Sequence, residues 1–187
     1  MPTIVLVEGV TDELAVNLAA RRLGRDLNAQ DVSIVPINGA HAISRSLRQL
    51  AVDEPGVRLA GLYDEGEEEV IRVALEKAGF GRNLDRGSLE AIGFFACSAD
   101  LEDELIRAAG QKRLLRLIAL AGDAQPWRRF RSQHAWRSRP VDQQFRRFVR
   151  SVSERNARYI SAIVETIDPA ELPRPLRLLL DFVSPTP

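Results

Sequence analysis

The chain has 187 residues, 45% hydrophobic and 28% charged, which suits a packed core under a solvated surface. Its formal charge is zero, yet residues 1–125 hold 14 Lys+Arg against 20 Asp+Glu while residues 126–187 hold 12 against 6. The single cysteine, Cys97, excludes an internal disulfide and a Cys-rich zinc site, and no apolar run is long enough for a membrane span. The start, MPTIVLVEG, has no basic leader, so a reducing, cytoplasmic setting is expected, with no membrane attachment.

Residues 4–7 (Ile-Val-Leu-Val) form a wholly apolar run ended by Glu8-Gly9, as expected of a strand buried on both faces. Thr11 is placed to cap a helix over about 12–23, where Leu14, Ala15, Leu18, Ala19 and Leu23 recur at helical spacing and Gly24 marks the stop. A second strand reads Val32–Ile37 with Asn38-Gly39 as its turn, then a helix over about 41–51. The third strand, Leu59–Tyr63, ends in Asp64, and a helix over about 66–78 follows, stopped by Gly79. A fourth strand is expected at Ala91–Cys97, leading into the acidic stretch Asp100–Leu105. From about 112 the pattern is helical, with breaks near Gly122, Pro126 and Pro140, one or two helices over 141–166, and a frayed tail at 185–187.

Alternating strands and helices predict an α/β fold with a parallel sheet, whose ligands sit outside the carboxyl ends of the strands. Glu8 and Asp64 stand just past such ends, and Asp100 follows the fourth strand by three residues. Asp12 lies one helical turn beyond Glu8; Glu65, Glu67, Glu68 and Glu69 follow Asp64; Glu102, Asp103 and Glu104 follow Asp100. Acidic residues are favoured in the first turn of any helix, where they face the positive end of its dipole, and each group alone is explained that way. Three groups at one sheet edge repel one another unless a cation binds among them. Metal-assisted phosphodiester cleavage uses such an array, with one or two ions about 3.5–4 Å apart.

The segments VLVEGVTDE, GLYDEGEEE and ADLEDELIRA, with the ending RPLRLLL, resemble the TOPRIM domain of the overcoming-lysogenization-defect (OLD) nucleases, and most closely its short stand-alone type. The resemblance extends over about residues 3 to 180 and implies a TOPRIM sheet supporting two-metal cleavage of DNA with Mg2+ or Mn2+. It implies that Glu8 and Asp12 serve one ion and Asp64 the other, with Asp100 and Glu102 completing the shell and Glu8 also moving a proton. Two positions depart from the family pattern. Gly66 stands where the second Asp of an Asp-x-Asp is usual, so either Glu67 or Glu68 supplies the missing carboxylate or that metal binds more weakly. Asn156 falls where a catalytic Lys aligns, leaving Arg155 or Arg158 to stabilise phosphate charge. Full-length members carry an ATPase domain; no Gly-Lys pair occurs here, so a P-loop is excluded and ATP-driven action is expected to need a separately encoded ATPase.

Residues 126–150 hold eight arginines, including Arg128, Arg129, Arg131, Arg137 and Arg139, interleaved with Trp127, Phe130, Trp136, Phe145 and Phe148. Arginines neutralise phosphates and aromatics stack on bases, so the stretch suits nucleic acid. It equally suits an amphipathic helix pair with its aromatics in the core, and both hold if the arginines alone face the substrate. His41 and His134 lack a metal-ligand pattern, and Cys97 reads as a small buried hydrophobe. The expected organisation is a TOPRIM catalytic domain at 1–110 with a helical, Arg-rich extension at 111–187 packed on it. The expected function is a metal-dependent DNA endonuclease. Its rivals are a non-catalytic nucleic-acid-binding module, an RNA-processing TOPRIM nuclease, and a subunit of a separate ATPase.

Overall fold

A computed structural model describes residues 2–53 and 56–184. Strands β1 (Thr3–Val7), β2 (Val32–Pro36), β3 (Arg58–Asp64) and β4 (Phe94–Cys97) form one sheet in the order β2-β1-β3-β4, parallel throughout. The wholly apolar run at 4–7 is explained by cover on both faces. Val5, Val7, Ala60, Leu62, Phe95 and Cys97 point to one side, where they pack with α1 (Val10–Arg22), α5 (Leu101–Leu120), α7 (Val141–Arg150), α8 (Ser153–Thr166) and α9 (Arg174–Val183). Ile4, Leu6, Leu59, Tyr63 and Phe94 point to the other, under α2 (Ile43–Asp53), α3 (Glu68–Lys77) and α4 (Arg86–Ala91). The remaining helix, α6 (Ala124–Ser132), lies over α5 and α7.

Register fixes the level of the strand ends. Leu6 pairs with Gly61, Gly61 with Phe94, and Asp64 with Cys97. Glu8 therefore stands within a residue of the level of Asp64, on the neighbouring strand.

Three local expectations need correction. Thr11 does not cap α1: Gly9 is the N-cap, and Asp12 reaches back so that its Oδ2 accepts the Gly9 N–H at 3.0 Å. The expected fourth strand starts too early, because residues 86–91 are helix α4, capped by Asp85, whose Oδ1 accepts the Ser88 N–H at 2.8 Å. Gly93 then turns the chain into β4 with φ +94, a backbone that favours glycine, and an added Cβ would meet the Phe182 ring at 2.3 Å. Pro126 is no break; it sits in the first turn of α6, where a missing N–H costs no helical bond. Residues 141–166 are two helices, α7 and α8, with Pro140 as the N-cap of α7. The tail at 185–187 lies outside the described residues.

Helix α5 is bent rather than straight: Gly110 adopts φ 67, ψ 158 in its middle, breaking the helical ladder there. The core under α5 is continuous across this bend, since Leu105 and Ile106 before it and Leu114, Leu117 and Ile118 after it share one cluster with Phe145, Tyr159, Ile160 and Leu176. Among the described residues no helix is long and apolar enough to cross a membrane.

Candidate active site

The parallel sheet delivers Glu8, Asp64 and, through a short loop, Asp100 to one edge on the adjacent strands β1, β3 and β4. Asp12 joins them because the first turn of α1 folds back over Gly9. All four are partly buried. Burial is the largest cause raising the pKa of Glu8, followed by the negative charges of Glu67 and Asp100. Asp12 is pushed up to about 7, by burial first and by Glu102, Glu8 and Asp100, against the lowering effect of the Gly9 N–H. Asp64 is also pushed up to about 7, by burial and by Glu8, Asp100, Asp12 and Glu67. The three side chains thus sense one another as a single repelling group.

Glu8 Oε1 is buried and has no hydrogen-bond partner among the described residues. An unpaired buried carboxylate oxygen is costly, and a cation is the partner that removes both its desolvation and the repulsion around it. The donor chemistry also fits, since hard oxygens are what Mg2+ takes. Among the described residues, however, no trio of His, Cys, Asp and Glu side chains is already drawn together as an ion-binding shell. The carboxylates are gathered, but not closed round a point.

The rim on the β4 side explains part of this. Arg146, from α7, hydrogen-bonds Asp100 and reaches Asp103 at 3.5 Å. Arg150 lies 3.3 Å from Asp100, and its Nε is 2.8 Å from Glu102 Oε2, a charge contact without the alignment of a hydrogen bond. Asn156 Nδ2 donates to Glu102 Oε1 at 2.6 Å, so the residue at the aligned Lys position does face the carboxylate rim, as a neutral donor. Asp100 also caps α5, accepting the Asp103 N–H at 2.7 Å.

Other expected residues lie elsewhere. Arg155 and Arg158 turn to Asp123, at 3.8 and 2.5 Å, and Arg155 stacks over the Phe148 ring; neither is brought to the carboxylates. Glu68 is held by Arg86 at 2.7 Å and accepts the Tyr63 hydroxyl at 3.2 Å, on the α3 side of the sheet. Of the two candidates to replace the missing acid at Gly66, it is Glu67 whose charge acts on Glu8 and Asp64. Spacing alone does not separate them, because a short 3-10 turn at Glu65–Glu67 precedes α3 and changes which acid faces the edge.

The basic stretch divides by residue type. Trp127, Phe145 and Phe148 are buried in contact with one another, Trp127–Phe148 at 5.3 Å and Trp127–Phe145 at 6.3 Å, so these aromatics are core. Arg128, Arg129, Arg131, Arg137 and Arg139 are exposed and, among the described residues, make no ion pair; Arg131 lies over Trp127 at 5.5 Å. Sequence reasoning missed two arginines of α7 that meet the carboxylate rim, Arg146 and Arg150. Their spacing of four on one helix face is the signal available beforehand.

Residues 2–65 match the family model of the overcoming lysogenization defect protein-like TOPRIM domain. The TOPRIM resemblance is therefore shown over β1 to β3. The matched stretch holds Glu8, Asp12 and Asp64, and ends before Glu67 and the β4 acids. Solved structures extend the likeness to the rest of the fold. The C-terminal region of the Xanthomonas campestris pv. campestris OLD protein is 16% identical, with a TM-score of 0.74 over 97% of this chain and 93% of that one. The C-terminal region of the Burkholderia pseudomallei OLD protein is 15% identical, with a TM-score of 0.66 over 97% and 96%. At such identity the agreement concerns the fold. No curated protein matches the sequence.

Proposed function

We propose that this TOPRIM chain is a divalent-metal-dependent nuclease that hydrolyses phosphodiester bonds in DNA. The observation that supports it most is the group of Glu8 and Asp64, at the ends of adjacent parallel strands, with Asp12 in the first turn of α1, each raised in pKa by burial and by neighbouring carboxylates, and with Glu8 Oε1 buried and, among the described residues, unpartnered. Glu8 and Asp12 would hold one Mg2+ or Mn2+, and Asp64 with Glu67 a second, Glu68 being occupied by Arg86. Asp100 and Glu102 complete the shell when they exchange an arginine for an ion. What bound metal supplies there is an activated water and neutralised charge on the leaving oxygen. Glu8, whose pKa burial and the charges of Glu67 and Asp100 raise, would hold and pass on a proton at the edge of the sheet. Arg146 and Arg150 are guanidiniums of α7 within reach of the rim and would stabilise phosphate charge there; Arg155 and Arg158 serve Asp123. The exposed arginines of α6 and the following loop, Arg128 to Arg139, hold the polyanion further out.

The test is Mn2+-dependent cleavage of plasmid DNA and of a structured RNA, run beside Mn2+ calorimetry, on the wild type and Asp64→Asn. Cleavage of DNA by the wild type alone, with metal binding lost in a folded Asp64→Asn protein, is expected. A folded variant that binds Mn2+ like the wild type would overturn the site. Metal and DNA binding without cleavage would turn the reading into a non-catalytic module.

A further inference from the structure

Beside the carboxylate rim lies a second feature that the metal site does not use. A cavity of about 590 Å³ opens between α5 and α7, lined by Ser98, Arg107, Trp136, Arg146, Arg147 and Arg150. Two acids, Asp103 and Asp142, also border it, so the lining keeps an excess of positive charge. Arg107 is tied to Asp103 at 2.8 Å, and Arg146 and Arg150 reach across to Asp100 and Glu102. Arg147 is exposed and, among the described residues, has no ion-pair partner. Trp136 is half-buried, its ring stacked on Phe130 with centroids 5.4 Å apart, which fixes its orientation at the cavity wall. By contrast, the larger groove of about 740 Å³ along α1 and the edge strand β2 is lined mostly by apolar and neutral side chains and offers an anion little.

We propose that the α5–α7 groove binds one nucleotide of a single nucleic-acid strand, with its phosphate on Arg147 and Arg150 and its base against Trp136. The inference deepens the nuclease reading and rests on it. Three features carry it. The cavity falls in the size range that encloses a small ligand, enough for a nucleotide and too small for a duplex. An arginine without a carboxylate partner stands beside an indole held rigidly by a second ring, the pairing that recognises a phosphate together with a base face. Finally, Arg146 and Arg150 belong to both places, so a strand seated in the groove leads its next phosphate onto Asp100 and Glu102. The unpaired strand of a nicked, flapped or opened duplex is the substrate form this favours.

The probes are a fluorescein-labelled single-stranded 12-mer and the duplex of the same sequence, with Ca2+ present, read by anisotropy and by tryptophan fluorescence. Of the two tryptophans, Trp127 is core and Trp136 borders the groove, so quenching by the 12-mer should vanish in Trp136→Phe. Arg147→Glu should weaken 12-mer binding by about 10-fold, and Arg147→Ala should flatten its salt dependence by about 0.7. Trp136→Ala should cost single-strand affinity about 5- to 30-fold and duplex affinity far less. Wild-type affinity and quenching in Arg147→Glu would overturn the groove, as would a wild type that binds neither probe. Mn2+-dependent plasmid cleavage, measured in parallel, separates the two readings. Cleavage with an unchanged KM in Arg147→Glu sinks the groove alone, whereas a wild type that is quenched by the 12-mer yet cuts nothing keeps the groove and sinks the nuclease.

Discussion

The two halves of the carboxylate edge are built from the same residue types and treated in opposite ways. On the β4 side, Asp100, Glu102 and Asp103 are met by Arg146 and Arg150, and Glu102 by Asn156 as well. On the β1 and β3 side, Glu8, Asp12 and Asp64 receive no cation from the described residues, among which Asp12 has the Gly9 N–H as its hydrogen-bond donor. A fold that places two arginines on one half leaves the other at mutual repulsion, which protons relieve in the metal-free chain and which, on the proposed function, a metal ion would relieve. The difference also orders the site: the unpaired half is where a metal ion gains most, and the paired half is where arginines must yield.

The largest effect expected from this asymmetry is on pH dependence. Asp12 and Asp64 stand at about 7 in the folded chain, against an ordinary value of about 3.9. Between those values the folded protein holds more protons than the unfolded one, so metal-free stability should fall as pH rises from about 4 to 7 and then level off. A metal must displace the same protons. Its affinity should therefore climb on the order of 100-fold between about pH 5.5 and 7.5, with proton release in calorimetry. Affinity independent of pH over that range would mean that these two carboxylates are not ligands. Because the paired half has its own cations, Arg150→Ala should not remove the dependence.

The same contrast extends to the arginines. Arg146 and Arg150 are spent on carboxylates, while Arg128, Arg129 and Arg131 on α6 are exposed without ion-pair partners among the described residues. If the latter touch phosphates, changing all three to Ala should flatten the slope of log affinity against log salt by about 2–3. Metal affinity should stay as it was. DNA titrations between about 50 and 200 mM salt decide it, and an unchanged slope would make these arginines ordinary solvated surface.

A smaller effect should follow from breaking the paired half. Glu102 is buried, and Arg150→Ala removes the cation nearest its Oε2. Leaving that oxygen uncompensated should cost about 1–3 kcal/mol of stability, read from urea unfolding. Saturating Mn2+ should restore part of the loss if Asp100 and Glu102 can turn to an ion. A variant as stable as the wild type, with no gain from Mn2+, would show that the rim arginines are incidental.

Much of this was legible beforehand, and the physical reason is the parallel sheet. A strand covered on both faces must be apolar along its length, so the first polar residue after it, Glu8 or Asp64, marks the carboxyl edge. Where apolar character has another cause the reading slips: Ala91-Ile92 reads as strand but closes α4 against the sheet. Partnerships over long separations were not legible. Arg146 and Asp100 lie 46 residues apart and meet because α7 packs on α5, whereas Arg155 and Arg158, nearer the aligned lysine, are drawn off by Asp123. The aromatics between the arginines were ambiguous for a like reason. Only packing decides whether Trp127 and Phe148 face each other or the solvent, and they face each other.

The smallest effect concerns the gap within the unpaired half. Gly66 occupies the place of a carboxylate in the TOPRIM pattern that this chain otherwise resembles, and Glu67 is the acid whose charge reaches Glu8 and Asp64. Gly66 has no positive φ, and a Cβ built on it meets nothing within 4 Å, so a side chain fits there without moving the backbone or its neighbours. Gly66→Asp should therefore fold as the wild type does. In the metal-free state it adds one more like charge and should lower the melting temperature slightly above pH 7, with a smaller change near pH 4, where a carboxyl of ordinary pKa is about half protonated and its neighbours largely so. With Mn2+ the sign should reverse: one more oxygen donor at the edge should tighten binding by a few-fold, within the roughly 10-fold that an extra 1.4 kcal/mol would give. Glu67→Gln should move affinity the other way, and Glu68→Gln should leave it unchanged, because Glu68 answers to Arg86. Calorimetry on the three variants is decisive in its ordering. If Glu68→Gln weakens metal binding and Glu67→Gln does not, the second ligand has been assigned to the wrong acid; if Gly66→Asp alone is silent, the edge holds its ion on the β1 side only.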